Sequence, residues 1–382
     1  MREVSVSELD DLEEGSFLLI DTRSEDHVQY GMIPGAIHIP ETELMEKTVR
    51  YAEELTPGRI LIIYCQRGVR SVAVAEALAE CGRESASLAG GYLAYLRVKM
   101  SEADSGSERR EKAEDSIRRK FHKQLFSPFA KACSQYQLIQ DGDRIAVCIS
   151  GGKDSMLMAK LFQELQRHRK VSFELLFLVM DPGYNSDNRC LIERNARALG
   201  IPITVFESTI FDAVDIVEKN PCYLCARMRR GYLYSKAKEL GCNKIALGHH
   251  YDDVIETILM GMLHGGQIQT MMPKLHSTNF DGMELIRPMY LVREADICKW
   301  RDWNGLHFLQ CACHFTDTCT TCHEDGTTSS KRLETKKLIA ALKESNPQIE
   351  ANIFKSVSNV NLSTVIAYKK DGVRHHFLDE YQ

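Results

Sequence analysis

The chain lacks any apolar run that could cross a membrane. Its longest stretches of this kind, such as Ile60–Tyr64 and Leu175–Met180, fall far short of the ~20 residues a spanning helix needs. The N-terminal segment MREVSVSELDDLEEG is acidic and holds no apolar core, so it does not read as a secretory signal, and a cytoplasmic protein with no membrane association is expected. An excess of positive charge is also missing. The 48 basic residues are outnumbered by 53 acidic ones, a net charge of −5, so a nucleic acid would have to be met by a local basic surface. No internal repeat is present. With 44% hydrophobic and 26% charged residues, neither disorder nor a fibrous architecture fits, and 382 residues argue for two or three domains.

Cysteine, by contrast, is abundant, at thirteen residues. Without export a disulfide framework is not expected, and metal binding or sulfur chemistry becomes the better reading. Cys81, Cys133, Cys148, Cys190, Cys242 and Cys298 stand alone in apolar or helical surroundings and read as packing residues. That leaves Cys65, the pair Cys222/Cys225, and the cluster Cys311, Cys313, Cys319 and Cys322.

Up to residue 99 short apolar strands (Phe17–Asp21, Arg59–Tyr64) alternate with amphipathic segments such as the helix Ser71–Glu80. Met100–Lys112 is polar, rich in Ser and charge, and reads as a flexible linker. A second alternating run follows. Strands Arg144–Ile149, Phe173–Met180, Ile203–Phe206 and Lys244–Leu247 interleave with helices Ser155–Arg167, Ser186–Leu199, Tyr223–Leu240 and Asp253–Leu263. Such alternation predicts an α/β fold with parallel sheets and ligands at the carboxyl ends of the strands. The last third is irregular until a helix near Leu333–Lys343.

Strand Ile60–Tyr64 runs into Cys65-Gln66-Arg67-Gly68-Val69-Arg70-Ser71, which opens a helix. Loop amides, the helix dipole, Arg67 and Arg70 would all favour a thiolate at Cys65. A cysteine phosphatase needs five residues between its Cys and Arg to wrap a phosphate. Here only four separate Cys65 from Arg70, a smaller cradle that suits a persulfide better. Together with Asp21-Thr22-Arg23, Gly31-Met32-Ile33-Pro34-Gly35-Ala36 and Leu88-Ala89-Gly90-Gly91-Tyr92, this loop makes residues 1–99 resemble a rhodanese domain. The resemblance implies a sulfurtransferase in which Cys65 carries sulfane sulfur. A rhodanese fold used only for docking is the alternative.

Strand Arg144–Ile149 ends in Ser150-Gly151-Gly152-Lys153-Asp154-Ser155 and passes into a helix. Glycines let backbone amides approach an anion, the helix N-terminus attracts it, and Lys153 supplies a point charge. A Walker A loop would place Ser or Thr directly after the lysine to hold Mg²⁺, whereas here Asp154 follows. The loop is similar to the signature of the PP-loop ATP pyrophosphatases, which implies binding of the pyrophosphate part of ATP and transfer of AMP to an acceptor oxygen. Gly248-His249-His250-Tyr251-Asp252-Asp253 follows another strand, where adjacent carboxylates suit Mg²⁺ on phosphate oxygens. It matches that family's downstream motif. Asp181, at the end of a third strand, is expected near the nucleotide.

Pro221-Cys222-Tyr223-Leu224-Cys225 opens a further helix. A Cys-x-x-Cys pair grips one metal centre but needs at least one more ligand, which Cys311-Ala312-Cys313-His314 or Cys319-Thr320-Thr321-Cys322-His323 could provide. A redox dithiol, structural zinc and an iron–sulfur cluster with one open iron all fit the spacing. Here the wider resemblance bears on the choice. Residues 117–362 are similar to the tRNA 2-thiocytidine synthetases, in the Ser150–Ser155 loop, Cys222-x-x-Cys225 with its following arginines, Leu247–Thr257, Met271–Leu275, Ile286–Met289 and Leu291–Ile297. That family places a third cluster ligand at a position matching Cys311. The crowding of Cys313, Cys319 and Cys322 leaves Cys311 and Cys313 both open, along with a separate zinc site in Cys311–His323.

The resemblance therefore implies a rhodanese-like α/β domain (1–99), a linker (100–116), a doubly wound parallel-sheet PP-loop domain with a cysteine-rich C-terminal region (117–362), and a tail (363–382). It implies ATP, Mg²⁺ and a [4Fe–4S] cluster on Cys222, Cys225 and Cys311. Its catalytic residues would be Cys65, Arg70, Lys153, Asp252 and Asp253. Its ATP-binding residues would be Ser150, Gly151, Gly152, Lys153, Asp154, Ser155, Asp181, Gly248 and His249. The implied reaction adenylates the C2 oxygen of a tRNA cytidine, at position 32, and replaces it by sulfur relayed from Cys65. Arg118, Arg119, Lys120, Arg227, Arg229 and Arg230 form basic islands in an acidic chain and are expected to meet RNA phosphates. The partners are tRNA and a sulfur donor, either a cysteine desulfurase or thiosulfate; a homodimer is left open. Two other readings stay in view: another PP-loop tRNA-modifying enzyme, such as a lysidine-type ligase, and a sulfur-handling or redox-sensing protein with a gating ATPase domain.

Overall fold

The computed structural model describes the chain except residues 1–2, 14, 29–30, 57, 103–105, 185, 209, 211–220, 309–330, 380 and 382, and the side chains of 26, 100–102, 106–107, 187 and 221–227. None of its helices is long and apolar enough to cross a membrane, among the described residues. Two compact units are present. Residues 1–251 and 273–329 form the first, and residues 252–272 and 330–382 the second.

The first unit holds two sheets. Strands β1 (Glu3–Val4), β2 (Phe17–Asp21), β3 (Ile37–His38), β4 (Ile60–Tyr64) and β5 (Ser85–Leu88) assemble in the order β1-β5-β4-β2-β3, every pair parallel. β4 lies at the centre, and its run Leu61–Tyr64 is fully buried, as a strand covered on both faces must be. The second sheet contains β6 (Asp143–Ile149), β7 (Phe173–Asp181), β8 (Ile203–Glu207), β9 (Lys244–Ala246), β10 (Lys274–His276) and β11 (Glu284–Ile286). Its order is β10-β11-β9-β6-β7-β8, with only the edge strand β10 antiparallel. The chain moves outward from β6 to β7 and β8, then returns to place β9 on the other side. The carboxyl end of β6 therefore sits at the reversal point of the sheet, where ligands bind in folds of this class.

The α/β class and the alternation are as expected. Part of the segment read as a flexible linker is helical. Gly106–Arg118 is a helix, and it is docked. Ala113 and Ile117 are buried, the Ser116 hydroxyl accepts hydrogen bonds from Trp300 Nε1 and Asn304 Nδ2 (both 3.1 Å), and Glu114 pairs with Lys160 at 2.8 Å. Its apolar positions, Ala113 and Ile117, are spaced i, i+4, too sparse to stand out among the charges around them. One apolar core runs from Ile62 and Tyr64 through Leu96, Ala113 and Ile117 to Ile149 and Trp300, so the two sheets share a packed interior.

The second unit carries helices Lys331–Ser345 and Ile349–Ser356 and an antiparallel hairpin of β12 (Ala367–Lys370) and β13 (Val373–His376). Residues 363–382, expected as a tail, thus contain paired strands. Their turn is Asp371-Gly372, with φ of 51° and 81°. Asp-Gly with both residues left-handed is the two-residue turn that suits strand twist, so the signal for this hairpin lies in the sequence itself.

Candidate functional site

Cys65 sits at the carboxyl end of β4 and is only 4% exposed. The Ser71 hydroxyl, from the first turn of helix Arg70–Glu80, lies 3.4 Å from its Sγ as a donor and 2.9 Å from Ser87 Oγ. The loop closes tightly because two glycines pass each other behind the cysteine. Gly68 and Gly91 have φ of 80° and 60°, and a Cβ at Gly91 would stand 2.5 Å from Gly68 N and closer still to the Cys65 carbonyl oxygen. That oxygen accepts from Tyr92 N at 3.0 Å. Asp21 and Arg23 form a buried pair at 2.6 Å, and the Arg23 guanidinium also donates to the Gly31 carbonyl and lies 3.8 Å over the Tyr92 ring. Burial opposes the Arg23 charge, but Asp21 outweighs it and raises the guanidinium pKa. These residues brace the cradle. Arg70 is 64% exposed and paired with Glu41 at 3.3 Å.

At the end of β6, Ser150 to Ser155 fold into a compact turn. Ser155 Oγ accepts from Ser150 N at 3.1 Å and donates to the Gly152 carbonyl at 3.0 Å, while Gly151 takes φ of 84°. Helix Lys153–Arg167 then starts at Gly152, which caps it in extended conformation without a side chain. Lys153 is almost wholly buried, yet its ammonium lies 3.1 Å from both Asp154 Oδ2 and Glu294 Oε1. A buried lysine of this kind keeps its charge only when carboxylates compensate it. Gly248 backs directly onto the turn. A Cβ there would be 3.3 Å from Ser155 N and 3.4 Å from the Asp154 carbonyl carbon. His250 Nε2 lies 3.9 Å from Asp154 Oδ1, a buried oxygen with no hydrogen-bond partner among the described residues. A glycine-lined turn at a helix N-terminus, with a buried cation and an unsatisfied carboxylate oxygen, fits a nucleotide phosphate and its metal ion.

Sequence reasoning thus brings Ser150, Gly151, Gly152, Lys153, Asp154, Ser155 and Gly248 to one place, and His249 follows Gly248 half-buried. It named no role for Glu294 or His250. Both stand inside the quoted motifs, but nothing local joins Glu294 to a lysine 141 positions away. Asp181 ends β7, beside β6, but its oxygens are occupied. Oδ1 accepts from Gly183 N (2.9 Å) and Tyr184 N (2.6 Å), and Oδ2 pairs with Arg189 (3.3 Å). Asp181 therefore shapes the loop after β7. Asp252 and Asp253 belong to the second unit, in the first turn of helix Tyr251–Gly265, where Asp253 pairs with Arg332 at 2.7 Å.

Helix Pro221–Glu239 begins at the expected Cys-x-x-Cys. The side chains of Cys222, Cys225 and Arg227 lie outside the described residues, as do Cys311, Cys313, His314, Cys319, Cys322 and His323 entirely. Arg229 is half-buried and Arg230 exposed. Of the other basic island, Arg118 bridges Glu114 and Glu164 at 2.9 Å each, Arg119 pairs with Asp115 at 2.9 Å, and Lys120 Nζ sits 2.9 Å over the Trp303 ring.

Comparison with known proteins agrees with both halves of this geometry. Residues 116–314 match the PP-loop domain family and residues 5–97 the rhodanese-like domain family. A tRNA-cytidine(32) 2-sulfurtransferase of Syntrophotalea carbinolica is 35% identical over 253 residues, 65% of this chain and 91% of that protein. Its namesake in Geobacter sulfurreducens is 34% identical over 252 residues, 64% of this chain and 92% of that one. The Vibrio cholerae protein of the same name reaches 39% over 195 residues, 50% and 63% of the two chains. Matched by the PP-loop domain family over residues 116–314 and spanning most of the length of these relatives, the chain belongs to the PP-loop tRNA-cytidine(32) 2-sulfurtransferase family and carries a rhodanese-like domain in addition.

Proposed function

We propose that this protein is an ATP-dependent tRNA sulfurtransferase that makes 2-thiocytidine, with its rhodanese-like domain carrying the sulfur. The observation that supports this most directly is the approach of Gly248 to the backbone of Ser155, which packs a second loop against the turn that carries Lys153. The C2 oxygen of the cytidine attacks the α-phosphorus of ATP, and pyrophosphate leaves. A poor leaving group thereby becomes AMP, which is why ATP is required. Lys153 offsets charge on the phosphates, and the helix N-terminus behind it does the same without moving. Asp154 is the candidate to hold Mg²⁺ beside the turn, and Asp252 and Asp253 are candidates on their sequence motif alone.

Cys65 carries the outer sulfur of a persulfide, loaded by a cysteine desulfurase or by thiosulfate. Delivery of that sulfur at the oxidation level of sulfide takes two electrons from a thiol reductant and returns Cys65 to the thiol. The new C2–S bond then forms as the C2–O bond to AMP breaks. An iron–sulfur cluster on Cys222, Cys225 and a third cysteine, Cys311 or Cys313, belongs to the same proposal. When bound, it would supply an iron position to hold the sulfur. The name of the relatives supports position 32 of tRNA, and a tRNA substrate in turn supports a cytoplasmic setting.

The test is to incubate full-length protein with ATP, Mg²⁺, unmodified tRNA, thiosulfate and a thiol reductant, and to measure AMP, pyrophosphate and thiolated nucleosides. Thiocytidine formed in step with AMP is expected. AMP release with an amine-modified base, or no AMP release at all, would overturn the reading in favour of a ligase or a sensor.

A further inference from the structure

Helix Lys153–Arg167 presents its N-terminus to the nucleotide turn, and at its other end the fold gathers positive charge. A cavity of about 430 Å³ opens there, lined by Arg110, Glu114, Arg118, Lys160, Glu164 and Arg167. Four cations face two carboxylates, an excess of two positive charges in a chain of net charge −5. Burial lowers the Lys160 ammonium pKa, and the Glu114 partner opposes that shift without cancelling it. Burial alone would raise the Glu114 carboxyl, but hydrogen bonds from Lys160, Arg110 and Arg118 hold it down at about 2.

The cations are held in place by shape as well as charge. A Cβ at Gly200 would stand 2.6 Å from Arg110 Cδ, so that arginine lies flat across the glycine backbone. Lys160 is tied by Glu114, Gln163 and the Leu199 carbonyl at 2.7–2.8 Å. Two basic stretches from different parts of the chain meet at this rim. One continues from Arg118 into Arg119 and Lys120. The other is Arg167-His168-Arg169-Lys170, where the helix ends. The Arg118–Glu164 bond (2.9 Å) and the stacking of His168 on Phe126 (4.9 Å) bring them side by side. Arg119, Arg167, Arg169 and Lys170 all face solvent.

We infer that this cavity and its rim form a second contact surface for RNA, binding successive phosphodiester groups of the tRNA away from the base that reacts. The inference rests on the tRNA reading above. An extended row of cations, rather than one closed pocket, is what a phosphate backbone needs, and such contacts position the nucleic acid without reading sequence. From Lys153 to Arg167 the helix spans about 20 Å at its ordinary rise per residue. The contacted phosphates would therefore lie well outside the reacting nucleotide, and the nucleotide turn and this rim would grip one RNA at two places.

The experiment measures binding of unmodified tRNA to the full-length protein across a salt series, for wild type, Arg110→Ala/Arg167→Ala and Arg169→Ala/Lys170→Ala. The second variant alters only exposed side chains, so it carries the test if the first does not fold. Each variant should bind tRNA about tenfold more weakly, and the slope of log affinity against log salt should become shallower by about 0.7–0.9 for each phosphate no longer neutralised. Unchanged affinity and slope in both variants would overturn the inference. So would saturable binding of inorganic phosphate that the variants lose while tRNA binding stays intact, since the site would then take a free anion. If wild type itself binds no tRNA at any salt concentration, the tRNA reading falls, and this inference with it.

Discussion

Lys153 Nζ stands 3.1 Å from Glu294 Oε1, a contact between the turn after β6 and a helix, Glu294–Trp303, far along the chain. With Asp154 Oδ2 at the same distance, the ammonium is fixed between two carboxylates. A charge held in advance costs no reorganisation when phosphate charge develops against it.

Lys153→Ala should lower AMP formation by about 100-fold or more, as removal of a main electrostatic partner of the reacting phosphates does. Persulfide formation at Cys65, followed by a labelled sulfur donor, should be unaffected. Glu294→Gln should keep the fold and raise the KM for ATP more than it lowers kcat, because it loosens the lysine without removing it. Equal loss of both activities in Lys153→Ala would show that the two sites are not chemically independent.

Gly248→Ala should raise the KM for ATP severalfold. The added methyl meets Ser155 N at 3.3 Å and the backbone of Asp154 beyond it, and neither can swing aside. Overpacking of about 1 kcal/mol is expected. Isothermal titration with ATP checks it, and wild-type affinity would mean that the turn is not where the phosphates bind.

Ser71→Ala should slow sulfur transfer from thiosulfate about fivefold to tenfold, in keeping with loss of one buried hydrogen bond near the sulfur. Cys65→Ser should abolish it. Thiocytidine synthesis by Cys65→Ser should recover with free sulfide at high concentration, which needs no persulfide carrier. A Cys65→Ser protein that matched wild type with every donor would make the rhodanese-like domain a docking module.

Anaerobically prepared protein should bind about four irons per chain and lose them in Cys222→Ala and Cys225→Ala. Iron content and the visible spectrum decide it. Zinc without iron in such preparations would replace the cluster by a structural metal site.

Acid should loosen the helix Gly106–Arg118. Glu114 is held at about 2 against an ordinary value of 4.5. A carboxyl lowered in the folded state stabilises it above its unfolded pKa, and that contribution is lost as the pH falls from about 4.5 towards 2. Trp300 donates to Ser116 on this same helix, so tryptophan emission reports the change. Glu114→Gln should be less stable at neutral pH and show a weaker dependence below pH 4.5.

The chemistry-bearing turns and the order of the elements are readable from residue type and spacing alone. Cys65 at a strand end, the Ser150–Ser155 turn and Gly248 after β9 are local patterns, in which residue type and spacing already state what the backbone must do. The Asp371-Gly372 turn is equally local, although residues 363–382 read as a tail until its two strands are seen to pair. What lies across from each turn depends on long-range packing. Glu294 reaches Lys153, and Ser71 reaches Ser87, because packing brings separate segments together. Docking of Gly106–Arg118 was hidden for a related reason. Its composition is that of a solvated linker, and its helix is secured by Trp300, Asn304 and Lys160, partners 46 to 188 positions away. Local propensity cannot report such bonds. They exist only once the sheets and the helices on them have closed over a shared core.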